Sequence, residues 1–155
     1  MAQYEVLTIG HGQLSWDAFL QLLRPYPLQV LVDVRSYPYS ETTPWFNRDR
    51  LEHLARKEGW EYLWLGSQLG PLTAAGRVDY VVKERETRYR EGIQQLLALA
   101  GEHAVCLFSG QENPLLSHRH LLIAQTLLRH DVAVTHILPD GNLVPAQADL
   151  FHSCI

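Results

Sequence analysis

Residues 104–128 read AVCLF, then SGQENPLL, then SHRHLLIAQTLL, and the order of these three pieces decides the fold. AVCLF is an apolar run short enough for a buried strand, and the polar loop after it carries Pro114. The loop feeds a helix over 118–129 that opens on Ser117, His118, Arg119 and His120. Backbone N–H groups at a helix start lack intrahelical partners and carry partial positive charge, so this is where an α/β protein holds an anion. Arg119 adds a planar donor fork. A cation is disfavoured at a helix N-terminus unless an anion comes with it.

Strands and helices alternate on either side of this segment. YEVLTIG (Tyr4–Gly10) reads as a strand, with HGQL as the turn after it. Ser15 is a good N-cap for a helix with Phe19, Leu20, Leu22 and Leu23 on its apolar side, ended by Pro25 and Pro27. QVLVDV (29–34) is a second strand. A loop with Pro38 and Pro44 leads to Asn47, the expected cap of a helix to about Glu58, with Leu51 and Leu54 inward and Gly59 as its stop. WEYLWL (60–65) is a third strand, and 66–77 a loop long enough for a lid. One helix is expected from Val81 or Glu84 to Ala100, a fourth strand at 104–108 and a fifth at 133–138. Residues 142–155 form a tail without an assigned element, after a turn at Asp140-Gly141.

The expected fold is α/β: three layers, α/β/α, around a mainly parallel sheet of about five strands, with the strand order open. The 155 residues suit one domain, 1–155, which buries roughly two thirds of its unfolded surface. An apolar fraction of 46% and four Trp argue for a packed globule. A net charge of −4 argues against a coat of positive charge for duplex DNA. Cys106 and Cys154 show no paired spacing, and no signal-peptide pattern or membrane-length apolar run occurs. A cytoplasmic setting with free thiols is expected.

Ligands of open α/β sheets bind beyond the carboxyl ends of the strands. Past those ends fall His11, then Asp33 and Arg35, then Ser109 and Gln111, with Ser117, His118 and Arg119 at the helix start. His11, Asp33 and Ser109 are the candidate catalytic residues. Each also has an ordinary role: a loop hydrogen bond, an orienting partner for Arg35, a plain strand-end hydroxyl. Arg35, Gln111, Ser117, His118 and Arg119 are candidate ligand-binding residues for a phosphate, nucleotide or carboxylate.

No metal is expected, because His118 and His120 point to different sides of a helix and His-x-x-x-His is absent. No cofactor motif occurs: neither Gly-Lys-Ser/Thr nor GxGxxG follows a strand. Two other readings stay open. A nucleic-acid partner would use Trp45, Phe46, Arg48 and Arg50, or Lys83, Arg85, Arg88 and Arg90, although Glu84, Glu86 and Glu91 break up the second group. A scaffold or regulatory subunit would have kept the fold without chemistry.

TIGH (8–11), DVRS (33–36) with Pro38, Ser40 and Phe46, then LG at 65–66 and 69–70, NP at 113–114, SHR (117–119), and HI (136–137) near Asp140-Gly141 follow one another in that order. In this the chain resembles the bacterial and archaeal family called "domain of unknown function 488", over about 6–141. The resemblance implies a compact three-layer α/β domain and a site that includes Ser40. It assigns no activity. Members of that family usually carry Cys-Ala-Glu after the fourth strand and Cys-His-Arg at the next helix, where this chain has Ser109-Gly110-Gln111 and Ser117-His118-Arg119. A hydroxyl needs an activating base where a thiol is partly ionised. An anion site is therefore expected to persist while thiol chemistry is lost. A looser similarity, to the rhodanese-like sulfurtransferases and related phosphatases, stops at the loop, which lacks their cysteine.

Overall fold

The computed structural model describes residues 4–149. Six strands form one sheet in the order β3-β2-β4-β1-β5-β6. They are β1 Tyr4–Gly10, β2 Val30–Asp33, β3 Glu61–Trp64, β4 Val105–Ser109, β5 Val132–Ile137 and β6 Leu143–Pro145. The first five run parallel, as the alternating pattern requires. The sixth, in the unassigned tail, folds back antiparallel on β5 after the turn at Gly141, whose φ is +89°. Three residues are too few to give a strand periodicity, and all three are exposed, so sequence reasoning passed over them.

The helices are α1 Trp16–Leu23, α2 Arg48–Lys57, α3 Gly66–Leu69, α4 Tyr80–Arg85, α5 Thr87–Ala100 and α6 Gln125–Arg129. From β1 to β3 the chain moves toward one edge of the sheet, and from β3 to β5 toward the other. Right-handed crossovers then place α1 and α2 on one face and α3 to α6 on the other. Two hydrophobic clusters match those faces. Val6, Val32, Leu107 and Val134 pack under Tyr89, Ile93, Leu96 and Leu127. Ile9, Leu31, Cys106 and Phe108 pack under Phe19, Leu23, Leu51 and Ala55.

Several local expectations change. The helix expected up to Ala100 is two helices, because Glu86 is extended (φ −70°, ψ 134°) and serves as C-cap of α4 and N-cap of α5. The loop after β3 begins with the single helical turn α3. Ala55, not Leu54, joins Leu51 inside α2. Asn47 does sit at the cap of α2, but its side-chain oxygen accepts from the Ser40 N–H at 2.6 Å instead of capping the helix. The helix after β4 opens with a wide π-type segment, Arg119–Ala124, before α6. Cys106 is buried mid-sheet and burial pushes its thiol up to about 12, whereas Cys154 lies outside the described residues. No helix among the described residues is long and apolar enough to cross a membrane.

β1 and β4 are neighbours whose chains leave toward opposite edges. That reversal opens a crevice at their carboxyl ends, where ligands of such sheets bind. The loops after β1 and β4 meet there: His11 N–H donates to Ser109 O and Gly12 N–H to Gly110 O, both at 2.9 Å. Gly10 is required at this junction, since a Cβ would overlap the Gln111 carbonyl.

Candidate functional site

The strand alternation splits the candidate residues between the two faces of the sheet. Asp33, Arg35 and His11 gather on the α1/α2 face. Thr8, Ser109, His136 and Arg119 gather on the other. A groove of about 490 Å³ lies over the strand ends, lined by His11, Arg35, Ser36, Tyr37, Tyr39, Ser40, Pro71, Leu72, Gly110 and His118.

Arg35 is 7% exposed and is held from behind by Asp33. The Asp33 carboxylate accepts Arg35 Nε at 2.9 Å and Nη2 at 2.7 Å, and also the Arg35 backbone N–H at 3.1 Å. Tyr62 donates its hydroxyl to the same carboxylate at 2.6 Å, and burial raises the Tyr62 pKa well above the usual phenol range. Both Asp33 oxygens are thus occupied inside the fold. Arg35 Nη2 also donates to Phe46 O at 2.7 Å, and the guanidinium lies 4.8 Å above the Phe108 ring. Arg35 Nη1 is the one buried side-chain nitrogen or oxygen among the described residues without a hydrogen-bond partner. Buried polar groups are nearly always satisfied, so this nitrogen is an exception among the described residues, on a side chain whose residue also lines the groove.

Two neutral imidazoles border this arginine. The His11 ring stacks on Phe46 and Phe108, with centroids at 4.7 and 5.3 Å. Its Nδ1–H donates to Gly12 O at 2.9 Å, which leaves Nε2 bare as an acceptor, and Nε2 faces Gly110. His118 Nε2–H donates to Val34 O at 2.8 Å, which leaves Nδ1 bare. Burial is the main cause that lowers each ring to about 4, with nearby arginine charge adding to it. Both rings are uncharged at neutral pH. Among the described residues, no carboxylate lines the groove.

Arg119 lies elsewhere. It is 0% exposed, and its guanidinium donates from Nε to Ser109 Oγ at 2.6 Å, from Nη1 to Thr8 Oγ1 at 2.7 Å and from Nη2 to Gln111 O at 2.5 Å. Burial lowers its pKa to about 10. From Thr8 the chain of bonds continues to His136 Nδ1 at 2.6 Å and from His136 Nε2 to His120 Nδ1 at 3.1 Å. Thr8 Oγ1 accepts from Arg119 and keeps both a proton and a second lone pair, so its bond to His136 runs in either direction and the tautomers of His136 and His120 follow it. Burial depresses both rings, His136 to about 3.

The remaining candidates divide the same way. Ser109 and Ser117 are buried with hydroxyls 3.3 Å apart, behind the groove. Ser117 receives the first helical N–H groups itself: Arg119 N on its Oγ at 3.1 Å, and His120 N and Leu121 N on its carbonyl. The Gln111 side chain turns back to accept Asn113 N at 3.1 Å. Ser40 lines the groove, and its Oγ accepts Thr43 N and Thr43 Oγ1, which fixes its own loop.

Four contributors escaped the sequence reading. Tyr37 and Tyr39 flank Pro38 at the groove mouth, with rings 5.1 Å apart. Tyr62 was legible in principle, because residues 62 and 64 share the face of β3 on which Leu31 and Asp33 lie on β2. Leu72 arrives only through long-range contacts: its N–H meets Ser36 Oγ at 3.3 Å, and its carbonyl accepts the buried Lys83 Nζ at 2.9 Å.

The fold and the groove together define a doubly wound α/β protein with a crevice at its strand reversal. The family model described as "Domain of unknown function DUF488" matches residues 15–126, and the chain belongs to that family. No curated protein and no solved structure matches the chain.

Proposed function

We propose that the groove binds a small anionic ligand, with its acid group on Arg35 Nη1. The unsatisfied, buried Nη1 carries this reading. The electrostatics agree with it. Among the described residues, Arg35 and Arg119 carry two positive charges against the Asp33 carboxylate, and no acidic side chain lines the groove. A phosphate or carboxylate oxygen there would accept a charge-assisted hydrogen bond from a guanidinium already oriented by its bidentate partner. In this reading Asp33 and Tyr62 position Arg35, and Arg119 braces the two loops from inside. His11 Nε2, bare and uncharged, is the group placed to take a proton from the ligand or from a water beside it. Ser109 is engaged behind the groove and is left out of that chemistry.

The test is a calorimetric titration of inorganic phosphate and ribose 5-phosphate into the protein and into Arg35→Lys. Lysine keeps the charge opposite Asp33 but has no second nitrogen to present to the groove. Saturable binding that weakens at least tenfold in Arg35→Lys is the expected result. Equal affinity in the two proteins, with circular dichroism unchanged, would rule the site out.

A further inference from the structure

The groove is not uniformly polar. Its outer wall carries Tyr37, 74% exposed, and Tyr39, 45% exposed, with Pro71 and Leu72 as neighbours in the lining. The two tyrosine rings are 5.1 Å apart and inclined at 60°, so both cannot bury their faces against each other. Neither hydroxyl has a hydrogen-bond partner to explain its position among the bonds of this loop, which run through Ser40, Thr43 and Asn47. The loop is nevertheless built firmly. Arg48 N–H bonds to Pro38 O at 2.9 Å between the two tyrosines, and the Trp64 indole donates to Arg35 O at 2.9 Å just before them. A firm loop that holds two aromatic faces in water, at the edge of a groove with an unsatisfied arginine nitrogen, is a stacking platform.

The groove's chemistry narrows the occupant further. Arg35 Nη1 offers the two N–H groups of one nitrogen to an acid group. His11 Nε2 and His118 Nδ1 offer two acceptors and no donors, since each ring's single N–H is committed to a backbone carbonyl. The ligand must therefore bring hydroxyl or amine donors along with its acid group and a flat ring. A simple phosphate, a fatty acid or a dicarboxylate lacks at least one of the three. We infer that the groove recognises a nucleoside monophosphate, with phosphate on Arg35, ribose hydroxyls or base amines on the two histidines, and the base against Tyr37 and Tyr39. The volume of about 490 Å³ lies within the usual span of small-molecule pockets, roughly 300–1,000 Å³. This rests on the anion reading above and adds the ring and the donors to it. The same chemistry is presented by a free nucleotide and by the 5′-phosphorylated end of a strand.

The experiment compares AMP, ribose 5-phosphate and the 5′-phosphorylated dinucleotide pApA by calorimetry, on the unaltered protein, on Tyr37→Ala/Tyr39→Ala and on Tyr37→Phe/Tyr39→Phe. AMP is expected to bind at least tenfold more tightly than ribose 5-phosphate. The alanine pair closes that gap without weakening ribose 5-phosphate, and the phenylalanine pair retains it. Binding of pApA at or above the strength of AMP assigns the site to strand ends, and weaker binding assigns it to the free nucleotide. If AMP binds no better than ribose 5-phosphate, the nucleotide inference is overturned while the anion site stands. If neither phosphate ester binds, both fall together.

Discussion

Two arginines sit at the carboxyl ends of adjacent strands and solve opposite problems. Arg35 has its charge balanced by Asp33 but keeps one buried nitrogen without a partner. Arg119 has each guanidinium nitrogen on a neutral oxygen and, among the described residues, no carboxylate paired with its charge. Hydrogen-bond satisfaction and charge compensation are separate requirements, and this fold meets them at separate sites. The first arrangement leaves one guanidinium nitrogen unpaired on a residue that lines the groove. The second leaves no guanidinium nitrogen without a partner and ties the loops after β1 and β4 together.

The largest effect should come from breaking the closed site. Arg119→Ala removes three hydrogen bonds and opens a cavity beneath the Gln111 loop. A loss of about 3–5 kcal/mol is expected, read as a lower urea midpoint at unchanged slope. A loss below about 1 kcal/mol would mean that relief from burying an unbalanced cation offsets the bonds, and Arg119 would no longer count as a brace.

Protonation separates the two regions next. His11 and His118 titrate near 4 in the folded protein, against about 6.5 when unfolded. Between those values the unfolded chain binds more protons, so stability falls as the pH drops from about 6.5 to about 4 and these rings contribute no further loss below that. Replacing one ring, as in His118→Asn, should flatten the decline by about 2 kcal/mol in chemical unfolding measured across this range. Phosphate in the groove should raise both pKa values, because an anion favours the charged imidazole. His136, on the Arg119 side, should stay near 3 by imidazole NMR. A rise at His136 equal to that at His11 would place the anion on the wrong arginine.

The sequence reading succeeded where chemistry repeats along the chain and failed where it depends on the third dimension. The alternation of strands with helices was enough to predict a mainly parallel sheet. It could not tell which face each strand end would serve. That choice follows from strand order, which no local pattern in 29–34 or 104–108 encodes. Arg119 looked like an anion clamp because it stands at a helix start. Only the register Thr8–His136 and Gly10–Ser109 reveals the three oxygens that enclose it. Asp33 and Arg35, two residues apart on an extended chain, were readable as a pair. Their third partner, Tyr62, lies 29 positions away in sequence.

Ser117 gives the finest test of that distinction, because both readings use it. At a helix start it would share a bound anion with the backbone N–H groups. In the fold its hydroxyl and carbonyl take those N–H groups themselves, and its Oγ lies 3.3 Å from Ser109 on the closed side. Ser117→Ala should therefore cost about 1 kcal/mol, the usual value of a lost cap. Phosphate affinity should remain within twofold, since Arg35 Nη1 is untouched. If affinity fell tenfold with that small change in stability, the ligand would sit on the helix start. Arg119 would then belong to the open site, and the contrast between the two arginines would collapse.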